Sequence, residues 1–86
     1  MVDLSVVIPV RNEAASLEEL HRELTATLVA STRSYEIIVV DDGSTDESFS
    51  ILKRLQAADS RLRVIRFRRN FGQTAAFAAG FAHARG

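Results

Sequence analysis

The chain has 86 residues, 47% of them apolar and 26% charged, which bounds it to one small soluble-type domain or part of a larger one. Eleven basic and eleven acidic residues cancel, so no global field points to nucleic acid as a partner. There is no cysteine, which excludes a disulfide framework and a thiolate metal site. No apolar run approaches the ~20 residues of a membrane span. The start MVDLSVVIPV has neither a basic region nor a small-residue cleavage site, so no signal peptide is read and the expected location is the cytoplasm.

In chain order, LSVVIPV (Leu4 to Val10) is almost continuously apolar and β-branched, which predicts a strand buried on both faces, as in a parallel sheet. Leu17, Leu20, Leu24 and Leu28 then recur at helical spacing, and Ser16 with Glu19 has the S-x-x-E pattern of a capping box. That helix fades over the polar residues Ser31 to Ser34. YEIIVV (Tyr35 to Val40) predicts a second buried strand, followed by the turn-forming DDGSTDES. Ser44 and Glu47 repeat the capping-box pattern ahead of the stripe Phe49, Leu52, Leu55. RVIRF (Arg63 to Phe67) alternates as a less buried third strand. RRNFGQ is a loop, and an alanine-rich helix with Phe77 and Phe81 one turn apart runs from about Thr74 to Ala84.

The order βαβαβα, with right-handed crossovers, is half of a doubly wound, Rossmann-like parallel sheet. In the strand order 3-2-1-4, a strand as apolar as LSVVIPV is left at an edge by these residues alone. The expectation is therefore one incomplete domain over residues 1–86, able to self-associate through that edge.

Ligands of such sheets bind beyond the carboxyl ends of the strands. Three segments fall there: Pro9 to Glu13, Asp41 to Ser44, and Arg68 to Gly72. A carboxylate only accepts hydrogen bonds, and a nucleobase edge offers N–H donors, so Asp41 or Asp42 suits base recognition. The alternative, that one aspartate caps a turn and the other is solvated, stays open on the residues alone. Asn12 and Glu13 are either further polar contacts for base and ribose or a helix approach. Arginine forks suit diphosphates, which singles out Arg68 and Arg69 at a strand end over Arg61, Arg63 and Arg66, whose alternation reads as a solvated face. His21 and His83 read as packing or surface residues. Neither G-x-G-x-x-G nor a P-loop is present. A receiver-type signalling module would need its acid pair after the first strand, and here the pair follows the second. A non-catalytic nucleotide-binding or self-associating α/β module is the remaining alternative.

Taken together, SVVIPVRNEAASLEEL, YEIIVVDDGSTDES and RVIRFRRNFGQTAAFAAG closely resemble the N-terminal half of the family-2 glycosyltransferase domain, of the polyprenyl-phosphate type typified by dolichol-phosphate mannose synthases. The resemblance covers essentially the whole chain. It implies a glycosyltransferase A-type half-domain that binds a nucleotide-diphosphate sugar. Pro9, Asn12 and Glu13 would line base and ribose, and Asp42 with Asp41 would read the base. Arg69, Asn70 and Gly72 match the R-N-x-G segment near the donor. Arg11 belongs to the same nucleotide-binding stretch but stands where many relatives have an aromatic residue. The resemblance further implies a lipid-phosphate acceptor, and a divalent metal (Mg or Mn) held by a D-x-D motif on the next strand rather than by these residues. No residue here is assigned as catalytic, and the expectation is that these 86 residues do not turn over alone, on the cytoplasmic face of a membrane or elsewhere.

Overall fold

A computed structural model describes residues 2–31 and 33–85. The elements are β1 (Leu4–Val10), α1 (Leu17–Ala30), β2 (Tyr35–Asp42), α2 (Ser48–Ala58), β3 (Leu62–Phe67) and α3 (Gln73–His83). The three strands form one parallel sheet in the order β1-β2-β3. Helices cover both faces, so the architecture is the open, Rossmann-like βαβαβα half that the sequence predicts.

Every residue of β2 is buried, because it is the central strand with helices above and below. β1 is as apolar as β2, yet only Val10 is buried in it and the other six residues are partly exposed. Its outer edge has no neighbouring strand among the described residues. Strand alternation divides the core in two. Ile37 and Val39 pack with Leu17, Leu28, Leu52 and Leu62 beneath α1 and α2. Ile38 and Val40 pack with Ala76 of α3, together with Val7, Ile65 and Phe67. α3 lies very close to the sheet. A Cβ added at Gly80 would stand 2.2 Å from Val7 Cγ1, so no larger residue fits there without displacing the Val7 side chain.

Two details differ from the sequence expectation. Neither S-x-x-E pattern makes a capping box. Ser16 is the N-cap of α1 but has helical backbone angles and no side-chain cap bond, and its hydroxyl turns back to the Glu13 carbonyl and carboxylate. α2 begins at Ser48, four residues beyond Ser44, and its first amide is satisfied by Asp46 Oδ1 at 2.9 Å. Ser44 is occupied elsewhere, as an acceptor for the Asn12 amide. In addition, β2 continues past Val40 through both aspartates, since Asp41 still pairs with Val10 on one side and Arg66 on the other, and Asp42 with Phe67.

The arginines in and just before β3 are mostly structural. Arg61 lies over the Tyr35 ring and Arg66 over the Phe49 ring. Arg63 points to the other face, where it meets Glu36, a fully buried carboxylate in the middle of an otherwise apolar strand. Glu36 accepts bonds from Ser5 Oγ (2.6 Å), Arg63 Nη1 (2.8 Å), the Arg85 amide (2.6 Å) and Arg85 Nε (3.3 Å). Arg63 also donates to the His83 carbonyl at 2.7 Å. This cluster clamps the C-terminal end of α3 to the foot of β1 and β2. On the opposite face His21 of α1 bonds Asp59 just after α2 at 2.8 Å.

Burial alone would raise the Glu36 carboxyl, but the donors from Ser5, Arg63 and Arg85 outweigh it and hold it down at about 2, from 4.5. A lowered folded-state value means stability that is present above the unfolded value and lost as pH falls through the folded one. A shift of that size corresponds to about 3 kcal/mol. In urea unfolding of the chain, the stability difference between wild type and Glu36→Gln is therefore expected to be large at pH 7 and to shrink between pH 4.5 and 2. A difference that stays constant across that range would refute the clamp.

Candidate functional site

Parallel strands bring the loops that leave β1, β2 and β3 to the same edge of the sheet. Two sets of hydrogen bonds join these loops. The first runs between the β1–α1 and β2–α2 loops. Asn12 has φ +54°, a left-handed conformation that asparagine tolerates better than most residues. Its Oδ1 accepts from the Thr45 amide (2.8 Å), the Thr45 hydroxyl (3.4 Å) and the Asp46 amide (3.3 Å), and its own amide donates to Ser44 Oγ (2.9 Å). The Glu13 amide donates to Ser48 Oγ (3.0 Å) and the Ala14 amide to Asp46 Oδ2 (3.3 Å). Bonds from the Ser48 hydroxyl and amide hold the Asp46 carboxyl below its usual value.

The second set centres on Asp42. Its carboxylate is buried and accepts three bonds from the β3–α3 loop: Phe71 N to Oδ1 (2.7 Å), and Asn70 Nδ2 and Gly72 N to Oδ2 (each 3.0 Å). Asn70 Nδ2 also reaches the Asp42 carbonyl at 3.3 Å. Gly43 makes this possible. It has φ +72°, and a Cβ there would fall 2.3 Å from the Arg69 carbonyl carbon and 2.4 Å from the Asn70 nitrogen. The loop thus rests directly on the Gly43 backbone.

The two adjacent aspartates do not oppose each other, because strand alternation sends them to opposite faces. Asp42 shares the α3 face with Ile38 and Val40. Asp41 shares the other face with Ile37 and Val39. Asp41 is fully buried, accepts the Ser44 amide at 3.0 Å through Oδ1, and leaves Oδ2 without a hydrogen-bond partner.

Between these loops lies a cleft of about 330 Å³. Pro9, Val10, Arg11 and Glu13 form one wall, Asp42 the floor, and Asn70, Gly72 and Gln73 the other wall. Of the residues singled out by sequence, Pro9, Arg11, Glu13, Asp42, Asn70 and Gly72 meet here. Asn12, Asp41 and Arg69 do not line the cleft. Asn12 is spent on the β2–α2 loop, Asp41 is directed to the opposite face, and the Arg69 guanidinium lies over the Phe71 ring at 4.9 Å. Gln73 is the polar liner the sequence reading missed. It follows the R-N-x-G segment immediately and opens α3, so a reading that carried the loop into the first helical turn would have found it.

Chemically the cleft combines two carboxylates, one guanidinium and two neutral amides. Asp42 Oδ1 accepts a single protein bond, so it retains capacity for a donor from a ligand. Glu13 and Arg11 are solvent-exposed at the mouth. Among the described residues no group of three or more histidine, aspartate or glutamate side chains converges to hold a metal ion.

Removing the Asp42 carboxylate should release the loop before it affects anything else. In Asp42→Ala, amide exchange at Phe71 and Gly72 is expected to accelerate by one to two orders of magnitude, the equivalent of one or two lost charge-assisted bonds. Exchange at both positions as slow as in wild type would show that the loop is held by other means.

The profile of "Glycosyl transferase family 2" matches residues 5–86. Among similar curated proteins, "Undecaprenyl-phosphate 4-deoxy-4-formamido-L-arabinose transferase" from Salmonella paratyphi A and that from Salmonella dublin are each 48% identical over 84 residues, covering 96% of this chain and 26% of the relative. The protein of that name from Salmonella choleraesuis is 46% identical over the same length and coverage. The chain thus spans about a quarter of the length of these relatives. The profile takes in all but the first residue of the six elements and all three loops that wall the cleft, and the chain belongs to glycosyl transferase family 2.

Proposed function

We propose that this chain is the donor-nucleotide-binding part of a glycosyltransferase that moves a sugar from a nucleoside diphosphate to a polyprenyl phosphate. The observation that carries the reading is the Asp42 carboxylate: buried at the floor of the cleft, fixed by three loop donors, with one oxygen that keeps spare acceptor capacity. A base N–H would bond Asp42 Oδ1, with Pro9 and Val10 as the apolar wall beside it. Glu13 would accept from a ribose hydroxyl, and Arg11 would offset the diphosphate charge. Asn12 and Asn70 act on the ligand indirectly, by tying the two cleft walls to the β2–α2 loop and to Asp42.

In the reaction proposed, an oxygen of the acceptor phosphate attacks the anomeric carbon of the sugar. The bond from that carbon to the diphosphate breaks, and the nucleoside diphosphate leaves with the electron pair. The cleft residues bind and orient the leaving half. A divalent metal on the diphosphate would be held by residues other than these. The polyprenyl-phosphate acceptor is supported by the names of the similar proteins, each a transferase for undecaprenyl phosphate. The same reading places the chain in the cytoplasm or at the cytoplasmic face of a membrane. No described helix is long and apolar enough to cross one. Self-association through β1 belongs to this proposal as well, because its outer edge, unpaired among the described residues, offers a row of ladder groups to a second strand.

Calorimetric titration of the chain with uridine diphosphate and with guanosine diphosphate tests the reading. One of them is expected to bind, about tenfold or more weakly to Asp42→Ala, as the loss of a hydrogen bond to a charged group predicts. Glu13→Gln, which leaves the Asp42 loop bonds in place, should also weaken binding. No binding of either nucleotide, or equal affinity in both variants, would overturn the assignment.

A further inference from the structure

Glu13 carries the carboxylate of the near cleft wall, and its backbone is held on both sides. Its carbonyl accepts the Ser16 amide at 3.0 Å, within its own loop. Its amide leaves the loop and donates to Ser48 Oγ at 3.0 Å. Ser48 is fully buried at the first position of α2. The next amide, that of Ala14, also leaves the loop and donates to Asp46 Oδ2 at 3.3 Å.

Asp46 joins these bonds. Its Oδ1 accepts the Ser48 amide at 2.9 Å, and the Ser48 hydroxyl donates to the same carboxylate. A hydroxyl has one proton to give and two lone pairs. With that proton committed to Asp46, the Ser48 lone pairs are left for the Glu13 amide. One carboxylate thus fixes Ala14 directly and Glu13 through Ser48. Asp46 itself is exposed and does not line the cleft. Capping α2 would need only the turn bond to the Ser48 amide, two residues on. The bonds to Ala14 and Glu13 span 32 and 35 residues of chain, and they tie α2 to the β1–α1 loop.

We propose, on the reading that the cleft takes a nucleoside diphosphate, that Asp46 is a positioning residue for it. Asp46 sets the place of the Glu13 carboxylate against the bound nucleotide, acting through the Ser48 hydroxyl and the Ala14 amide. Every bond involved lies between Glu13 and Ser48, so the placement is fixed within two loops. Both Asp46 oxygens are needed. Asparagine has nearly the same shape, but whichever way its amide is turned, its nitrogen faces another donor, the Ala14 or the Ser48 amide.

A double-mutant cycle with Glu13→Gln tests this, read by calorimetric titration with uridine diphosphate and guanosine diphosphate. For the nucleotide that binds wild type, Asp46→Asn is expected to weaken binding about fivefold, as for one weakened hydrogen bond, and no more than Glu13→Gln does. In the Glu13→Gln background the same change should cost less than about twofold further, because the group it positions is already altered. A residue that only caps α2 would cost the same stability in both backgrounds and leave affinity alone. In ligand-free Asp46→Asn, amide exchange should accelerate about tenfold at Glu13 and Ala14 and stay as in wild type at Phe71 and Gly72. Should Asp46→Asn fail to fold, Asp46→Ser carries the test, since serine can keep the turn bond to the Ser48 amide while giving up the others. Wild-type affinity in Asp46→Asn, its full loss repeated in the Glu13→Gln background, or unchanged exchange at Glu13 and Ala14 would overturn the proposal and leave the nucleotide reading standing. Failure of wild type to bind either nucleotide would overturn that reading, and the role of Asp46 with it.

Discussion

The cleft depends on one carboxylate. Asp42 sits at the last position of the central strand, and its two oxygens collect two amides and one side-chain amide from a loop that no regular structure holds. A buried charge is costly unless it is paired or well bonded. Here the donors that satisfy it are those that place the far wall of the site. Gly43 permits the contact by letting the Arg69–Asn70 peptide rest against the strand end. The β3–α3 loop, the start of α3 and the floor of the cleft are thus one unit fastened at a single residue. The near wall is fastened independently, by Asn12 to the Thr45 and Asp46 amides.

Much of this was legible in the chain. Runs such as YEIIVV and LSVVIPV announce strands, and the spacing of the leucines announces α1, because periodicity acts locally, although only YEIIVV is buried throughout and LSVVIPV is partly exposed at the edge of the sheet. The convergence of three loops follows from parallel strand order alone, and with it the positions of Pro9, Glu13, Asp42, Asn70 and Gly72. What was not legible depended on long-range partners. Ser44 and Glu47 look like a capping box, but Ser44 is claimed by Asn12, so the helix starts later. Glu36 is one charge in an apolar strand, and only the fold reveals that Ser5, Arg63 and Arg85 converge on it. That Asp41 and Asp42 part to opposite faces required knowing that β2 runs on through both. Arg69 looks like a phosphate ligand by type, and only the fold reveals that its guanidinium lies over the Phe71 ring.

The sheet also separates two kinds of surface. On one side α1 and α2 close over the larger core and present acidic side chains to solvent. On the other, a single thin helix of alanine and glycine lies close enough for Gly80 to touch Val7. Glu36 clamps the end of that helix, and Asp42 holds its beginning through the preceding loop. Buried carboxylates at both ends of the same face therefore fix α3, while its exposed surroundings stay basic and aromatic. The site and the α3 surface share this anchoring, so the position of the cleft relative to α3 is set by the chain itself.

The central claim is that the Asp42 carboxylate serves the loop and a nucleoside at once. A crystal structure of the chain with whichever of uridine or guanosine diphosphate binds would test it most directly. The account predicts a base N–H at about 3 Å from Asp42 Oδ1, with the Phe71 and Gly72 amides still bonded to that carboxylate. A nucleotide seated away from the cleft, or a base that makes no contact with Asp42, would contradict it.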